Sequence, residues 1–130
     1  MVVAFSVGNA GANEFSFPAC AGPGVKVMAM DSNTNTMASF TNYANPANFP
    51  AGPTFVAPGV GITSSVIGGG MQAWSGTSMA APHVAGVYAL LKAALPGYLS
   101  YDFTPWLQSV AVSMGHPSLP GVVFKRINLP

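Results

Sequence analysis

Ser78 is the residue best placed for chemistry in this sequence. It sits in the segment Ser75-Gly76-Thr77-Ser78-Met79-Ala80-Ala81-Pro82-His83, at the start of the most helix-like stretch of the chain. In the first turn of a helix the backbone N–H groups have no intrahelical acceptor, and the positive end of the dipole favours developing negative charge. A hydroxyl there suits a nucleophile. Gly76 lets the chain turn sharply into the helix, and the small Ala80 and Ala81 leave room for a substrate. Pro82 is tolerated so near the start, where its missing N–H leaves the Ser78 carbonyl without its partner. A nucleophile also needs a base, and candidates are few. Asp31 is the only aspartate before Ser78, and both histidines, His83 and His116, follow it. At about 100° per residue, His83 points to a different helix face from Ser78, so it is expected to be a packed or hydrogen-bonded core histidine. Asp31 closes an apolar run and is expected to be structural.

A triad within the chain needs testing. Ser78, Asp102 and His116 follow the order of an α/β-hydrolase, and Gly76-x-Ser78-x-Ala80 is close to a nucleophile elbow. An elbow serine should follow an apolar strand directly, whereas Gly68-Gly69-Gly70-Met71-Gln72-Ala73-Trp74-Ser75 precedes this one. Spacings of 24 and 14 residues also leave little chain for the intervening strands and helices. Gly68 to Gly70 is no phosphate loop, because no lysine stands before Thr77-Ser78. It is expected to be a flexible loop beside the site. Met71, Trp74 and Met79 are expected to pack, and no His, Cys or acidic cluster has transition-metal spacing.

The elements that must hold Ser78 follow from the apolar pattern. Met1 to Val7 is a continuous apolar run, as in a strand buried on both faces of a parallel sheet. Val25 to Met30 is a second strand between Gly22-Pro23-Gly24 and Asp31-Ser32-Asn33. Residues 33 to 53 are rich in Asn, Thr, Ala and Pro and read as irregular surface loops. Thr54 to Ala57 is a short strand. The helix from Ser78 to Ala94 is apolar on nearly every side and should lie inside the protein, stopped by Leu95-Pro96-Gly97. A second helix should start with Thr104 as N-cap and Pro105 at its first position, and end near Gly115. Val122 to Leu129 alternates like an antiparallel edge strand.

Composition narrows the partners. The 130 residues are half apolar and only 5% charged, against a usual charged share of about a quarter. So little charge suits the inner part of something larger. The nearly apolar stretch Met79 to Leu95 is interrupted by Pro82, His83 and Lys92 and falls short of a membrane span of roughly 20 residues. The N-terminus has no positive n-region and does not read as a signal peptide. A net charge of +1 with four Lys and Arg gives no footprint for nucleic acid and no polybasic run for a membrane. The single Cys20 is either a small buried hydrophobe or half of a bridge to a partner outside the chain.

Gly76-Thr77-Ser78-Met79-Ala80-Ala81-Pro82-His83-Val84-Ala85-Gly86 resembles the active-site serine signature of the subtilase family. Val2 to Gly11 resembles the strand and turn that present the family's oxyanion-hole asparagine, which would make Asn9 that residue. Phe17-Pro18-Ala19 with Val25 to Asp31, Ser39-Phe40-Thr41-Asn42, and Val56 to Ile62 resemble the segments that follow. The similarity covers about residues 1 to 93, and Arg126-Ile127-Asn128 resembles the final strand. It implies an α/β, subtilisin-like three-layer fold with a mainly parallel sheet, incomplete here and representing the C-terminal part of the domain. It further implies a serine endopeptidase in which Ser78 is the nucleophile and Asn9 completes the oxyanion hole. Gly8, Ala10, Gly11 and Thr77 would contact a protein or peptide substrate, and loop 12–19 would line the side-chain pocket. Phe17-Pro18 becomes a candidate cis peptide. The family order is Asp, His, Ser, and nothing before Ser78 resembles the first two motifs. The missing N-terminal portion becomes an expected partner, and the chain alone is expected to be inactive; a split subunit or a noncatalytic peptide-binding remnant are the alternatives. The resemblance implies a secreted or extracellular protein, and no cofactor is expected. It admits calcium, for which the sequence offers no identifiable site.

Overall fold

The computed structural model describes residues 1–45 and 52–128. The strands are β1 (Ala4–Ser6), β2 (Val25–Asp31), β3 (Thr36–Met37), β4 (Thr54–Pro58), β5 (Ile62–Ser65), β6 (Met71–Trp74), β7 (Val112–His116) and β8 (Leu119–Arg126). The helices are α1 (Thr77–Ala94) and α2 (Phe103–Val110), the latter entered through a 3-10 turn at Ser100–Asp102. The main sheet runs β1-β2-β4-β8-β7, with β3 added antiparallel to β2. β1, β2, β4 and β8 are mutually parallel, and β7 closes the sheet antiparallel to β8. This is the expected α/β class.

β2 pairs with β1, β3 and β4, and every residue from Val25 to Met30 is buried. Its alternation divides two cores. Val25, Val27 and Ala29, with Phe55 and Ala57 of β4, pack under α1 and α2. Met28, Met30 and Val56 point to the other face, where they pack with Phe124 of β8 and with Phe15, Ala19 and Ala44 from the loops. Helices therefore cover one face and loop residues the other. β1 is shorter than expected and only half-buried, since it stands at the end of the strand order.

α1 is not buried all round. Only Thr77, Ala80, Val84 and Tyr88 are buried, while Leu90 is 62% exposed. Those four positions form one stripe at near helical period, flanked by the partly buried Ala81, Val87 and Leu91, and this side packs on the sheet. Much of the exposed side is alanine and glycine (Ala85, Gly86, Ala89, Ala93 and Ala94), with Leu90 among them, so the hydropathy of the helix does not reveal which side packs. The helix ends with Lys92 Nζ donating to the carbonyls of Pro96 and Tyr98, each at 2.6 Å, where a cation also suits the helix C-terminus.

Three expectations about the C-terminal region are corrected. The second helix starts at Phe103 and ends at Val110, and Thr104 is no cap because its hydroxyl pairs with Tyr88 Oη at 2.6 Å. Val112 to Gly115 leaves the expected helix and, with His116, forms β7, because ladder bonds to β8 outweigh the local helix signal. The last strand pairs with β4 as well as β7, so it is internal instead of an edge. Residues 129–130 and 46–51, which fall in the expected last strand and loop region, lie outside the described residues. The other loop residues include the short β3. Phe17–Pro18 is cis.

Gly68, Gly69 and Gly70 close the β5–β6 hairpin, with φ of +89°, +93° and +89°. Such values suit glycine, and the exposed run forms the turn of this hairpin. Met71 and Trp74 do not pack as expected, being 67% and 54% exposed on β6.

Candidate active site

Ser78 is exposed on the second residue of α1. Its N–H is one of the first-turn donors for which helix geometry supplies no acceptor. The turn that delivers it is tightly packed. Gly76 N–H donates to Gly59 O at 2.8 Å, and a Cβ on Gly59 would lie 2.6 Å from Ala29 Cβ and 2.9 Å from Gly76 O. Glycine at 59 thus allows the end of β4 to touch the turn before the serine.

Asn9 meets this turn from the loop after β1. Its Oδ1 accepts from Thr77 N–H and from Thr77 Oγ1, both at 2.9 Å. Gly76 carries no side-chain cap, so Asn9 caps the helix from a distant part of the chain. With Oδ1 committed twice, the Asn9 amide orientation is fixed and Nδ2 remains as a donor. Nδ2 lies beside Gly76, where a Cβ would approach it to 3.3 Å.

Thr77 is buried, and its Oγ1 also accepts from Gly8 N–H at 3.2 Å. Its side chain therefore lies behind Asn9 and orients it. Gly8 has φ +109°, and a Cβ there would come within 2.6 Å of Asn42 Nδ2. Ala10 is exposed and Gly11 half-buried, with Gly11 N–H held by Phe40 O at 2.8 Å. Asn42 was not singled out from the sequence. It is 1% exposed and accepts from Ala10 N–H at 2.8 Å and Ala12 N–H at 3.2 Å.

A cavity of about 780 Å³ opens between α1 and the β5–β6 hairpin, with Ile62, Val66, Trp74, Ser78, Met79 and His83 among its walls. Loop 12–19 is not part of this lining. There Phe15 and Ala19 are buried in the core, while Phe17 is 81% exposed. His83 is exposed and shares the cavity with Ser78, so it is not the core histidine expected. Its Nδ1 lies 2.8 Å from Met79 O. A carbonyl only accepts, so Nδ1 carries the proton and the ring is tied to its own helix.

The hydrolase triad does not assemble. Asp102 is exposed and its Oδ2 accepts from Leu99 N–H at 2.8 Å. His116 stacks on Tyr43 at 4.1 Å and meets Phe124 at 6.3 Å. Phe124 belongs to the core on the face opposite α1, so the sheet stands between His116 and Ser78. Burial lowers the His116 pKa below its ordinary value.

Asp31 is structural, with Oδ1 accepting from Asn33 N–H at 2.8 Å. Cys20 is exposed, against the buried-hydrophobe reading. Among the described residues no three His, Cys, Asp or Glu converge, so no such cluster fits the calcium the family admits. No described helix is long and apolar enough to cross a membrane.

The Subtilase family model matches residues 1–119. The chain belongs to the subtilase family. The match extends past residue 93, where the motif resemblance became thin. Alkaline elastase YaB of Bacillus sp. (strain YaB) is 42% identical over 116 residues, covering 89% of this chain and 29% of that protein. Subtilisin Savinase of Lederbergia lenta is 40% identical over 121 residues, covering 93% and 42%. Among solved structures, prenylagaramide maturation protease PagA has a TM-score of 0.80 at 25% identity, covering 98% of this chain and 48% of that one. A cold-adapted subtilisin-like serine proteinase has a TM-score of 0.75 at 32% identity, covering 93% and 42%. This subtilase chain thus spans less than half the length of these relatives.

Proposed function

We propose that this chain supplies the nucleophile and the oxyanion donors of a serine endopeptidase, and that the proton-transfer pair comes from polypeptide outside residues 1–130. The observation that carries the reading is the double hold of Thr77 on Asn9 Oδ1. It leaves Nδ2 as a pre-aimed donor next to the turn that bears Ser78. In the reaction, Ser78 Oγ bonds to the scissile carbonyl carbon while its proton passes to an imidazole from elsewhere. The carbonyl oxygen becomes an oxyanion, held by Asn9 Nδ2–H and the Ser78 N–H. The C–N bond then breaks, the imidazole returns the proton to the leaving amine, and water releases the acyl group. Gly8, Ala10 and Gly11 form the backbone lip toward a protein or peptide substrate. The site of action is extracellular, in keeping with the family resemblance.

The chain alone should cleave neither casein nor a peptide substrate. Fluorophosphonate should label Ser78 slowly, faster when imidazole is added as an external base, and not at all in Ser78→Ala. Asn9→Ala should slow the imidazole-assisted labelling by about 10²–10³, the penalty known for losing this donor in subtilisin itself and taken over from that relative. Serine-dependent turnover by the unsupplemented chain would overturn the external-base reading. Folded chain with no Ser78 labelling under imidazole would favour a peptide-binding remnant.

A further inference from the structure

We infer that Asn42 is the positioning residue that fixes where Asn9 stands; this rests on Asn9 being the oxyanion donor. Loop 8–12 has little packing of its own, since Asn9 and Ala10 are exposed and Gly8, Gly11 and Ala12 only half-buried. Its backbone is instead held from distant segments, at Gly8 N–H by Thr77 Oγ1, at Gly11 N–H by Phe40 O, and at most points by Asn42. Asn42 Oδ1 accepts from Ala10 N–H at 2.8 Å and from Ala12 N–H at 3.2 Å. Asn42 Nδ2 donates to Ser16 Oγ at 3.2 Å. The Asn42 N–H donates to Gly8 O at 3.0 Å, and Tyr43 N–H donates to Ala12 O at 3.0 Å. Asn9 is thus bracketed on both sides by groups that end on Asn42 or its neighbour.

Two further facts set the precision of the bracket. Asn42 is 1% exposed, so water does not substitute for a lost partner there. Gly8 has no side chain where a Cβ would press on the Asn42 amide at 2.6 Å, so loop and carboxamide are fitted to each other. Thr77 fixes the direction of the Asn9 amide, and Asn42 fixes the backbone from which that amide extends. The two controls come from segments 35 residues apart and act on different atoms.

Amide hydrogen exchange on the 130-residue chain tests this. Asn42→Leu keeps the volume but leaves Ala10 and Ala12 N–H unpaired. Exchange should rise about ten- to a hundredfold at those two amides. It should rise also at Thr77, whose N–H touches Asn9 and not Asn42, while Val27 to Ala29 in β2 stay protected. Asn42→Asp keeps the accepting oxygen, and Ser16 can turn its hydroxyl to donate, so protection at Ala10, Ala12 and Thr77 should be retained. Asn9→Ala should release Thr77 alone. Unchanged Thr77 exchange in Asn42→Leu would overturn the inference, and so would lost Thr77 protection or failure to fold in Asn42→Asp. Failure of the oxyanion reading shows differently, as Asn9→Ala labelling Ser78 at the parent rate under imidazole.

Discussion

Thr77→Val isolates the link between the helix start and the oxyanion loop. Valine keeps the shape of threonine and replaces only the hydroxyl. Gly8 N–H then loses its acceptor at 3.2 Å, and Asn9 Oδ1 loses one of two donors at 2.9 Å while keeping Thr77 N–H. Thr77 is 1% exposed, so water does not reach the gap. An orphaned amide of this kind costs about 1–3 kcal/mol. The lost hydroxyl bond to exposed Asn9 adds about 0.5–1 kcal/mol, and no longer burying a hydroxyl returns a similar amount. The expected net destabilisation is about 2 kcal/mol, a fall in Tm of roughly 6–8 °C for a chain of this length. Urea and thermal unfolding of the parent, Thr77→Val and Thr77→Ser measure it. Serine retains the hydroxyl and loses one methyl, so it should cost only about 1 kcal/mol. Imidazole-assisted labelling of Ser78 should slow in the valine variant and stay near the parent rate in the serine variant. A valine variant within about 0.5 kcal/mol of the parent, or more stable than the serine variant, would refute the argument.

Gly59→Ala should destabilise the chain by about 1–3 kcal/mol through overpacking, because its Cβ would press on Ala29 Cβ at 2.6 Å and Gly76 O at 2.9 Å; urea unfolding reads it, and a neutral effect would mean the turn yields freely. Stability should also depend on pH through His116. Burial holds its folded pKa below the ordinary 6.5, so below pH 6.5 the unfolded chain binds the proton first. Its contribution should be complete above pH 6.5 and decline as pH falls toward the folded pKa. Urea midpoints from pH 8 to pH 5 should show this decline, and His116→Phe should flatten it.

The sequence by itself determined the parts of this protein that depend on local pattern. A serine after Gly76-Thr77 at a helix start, strands at Val25 and Thr54, and the family motif were all legible because helix termini and apolar runs leave marks on neighbouring residues. Beyond such neighbours the reading weakened. Val112 to Gly115 reads as the end of a helix, since the bonds of β7 to β8 are not written in those residues alone. The exposed side of α1 was invisible because alanine and glycine suit either environment. Asn9 was found through its motif, but the hold of Thr77 and Asn42 on it was not. Those contacts join positions 8–12, 42 and 77, brought together only when β1 and β2 pair and α1 docks on them. Hydrogen bonds between distant segments have no sequence period, so tertiary structure alone decided how the oxyanion loop is aimed and that Ser78 has no assembled triad with Asp102 and His116.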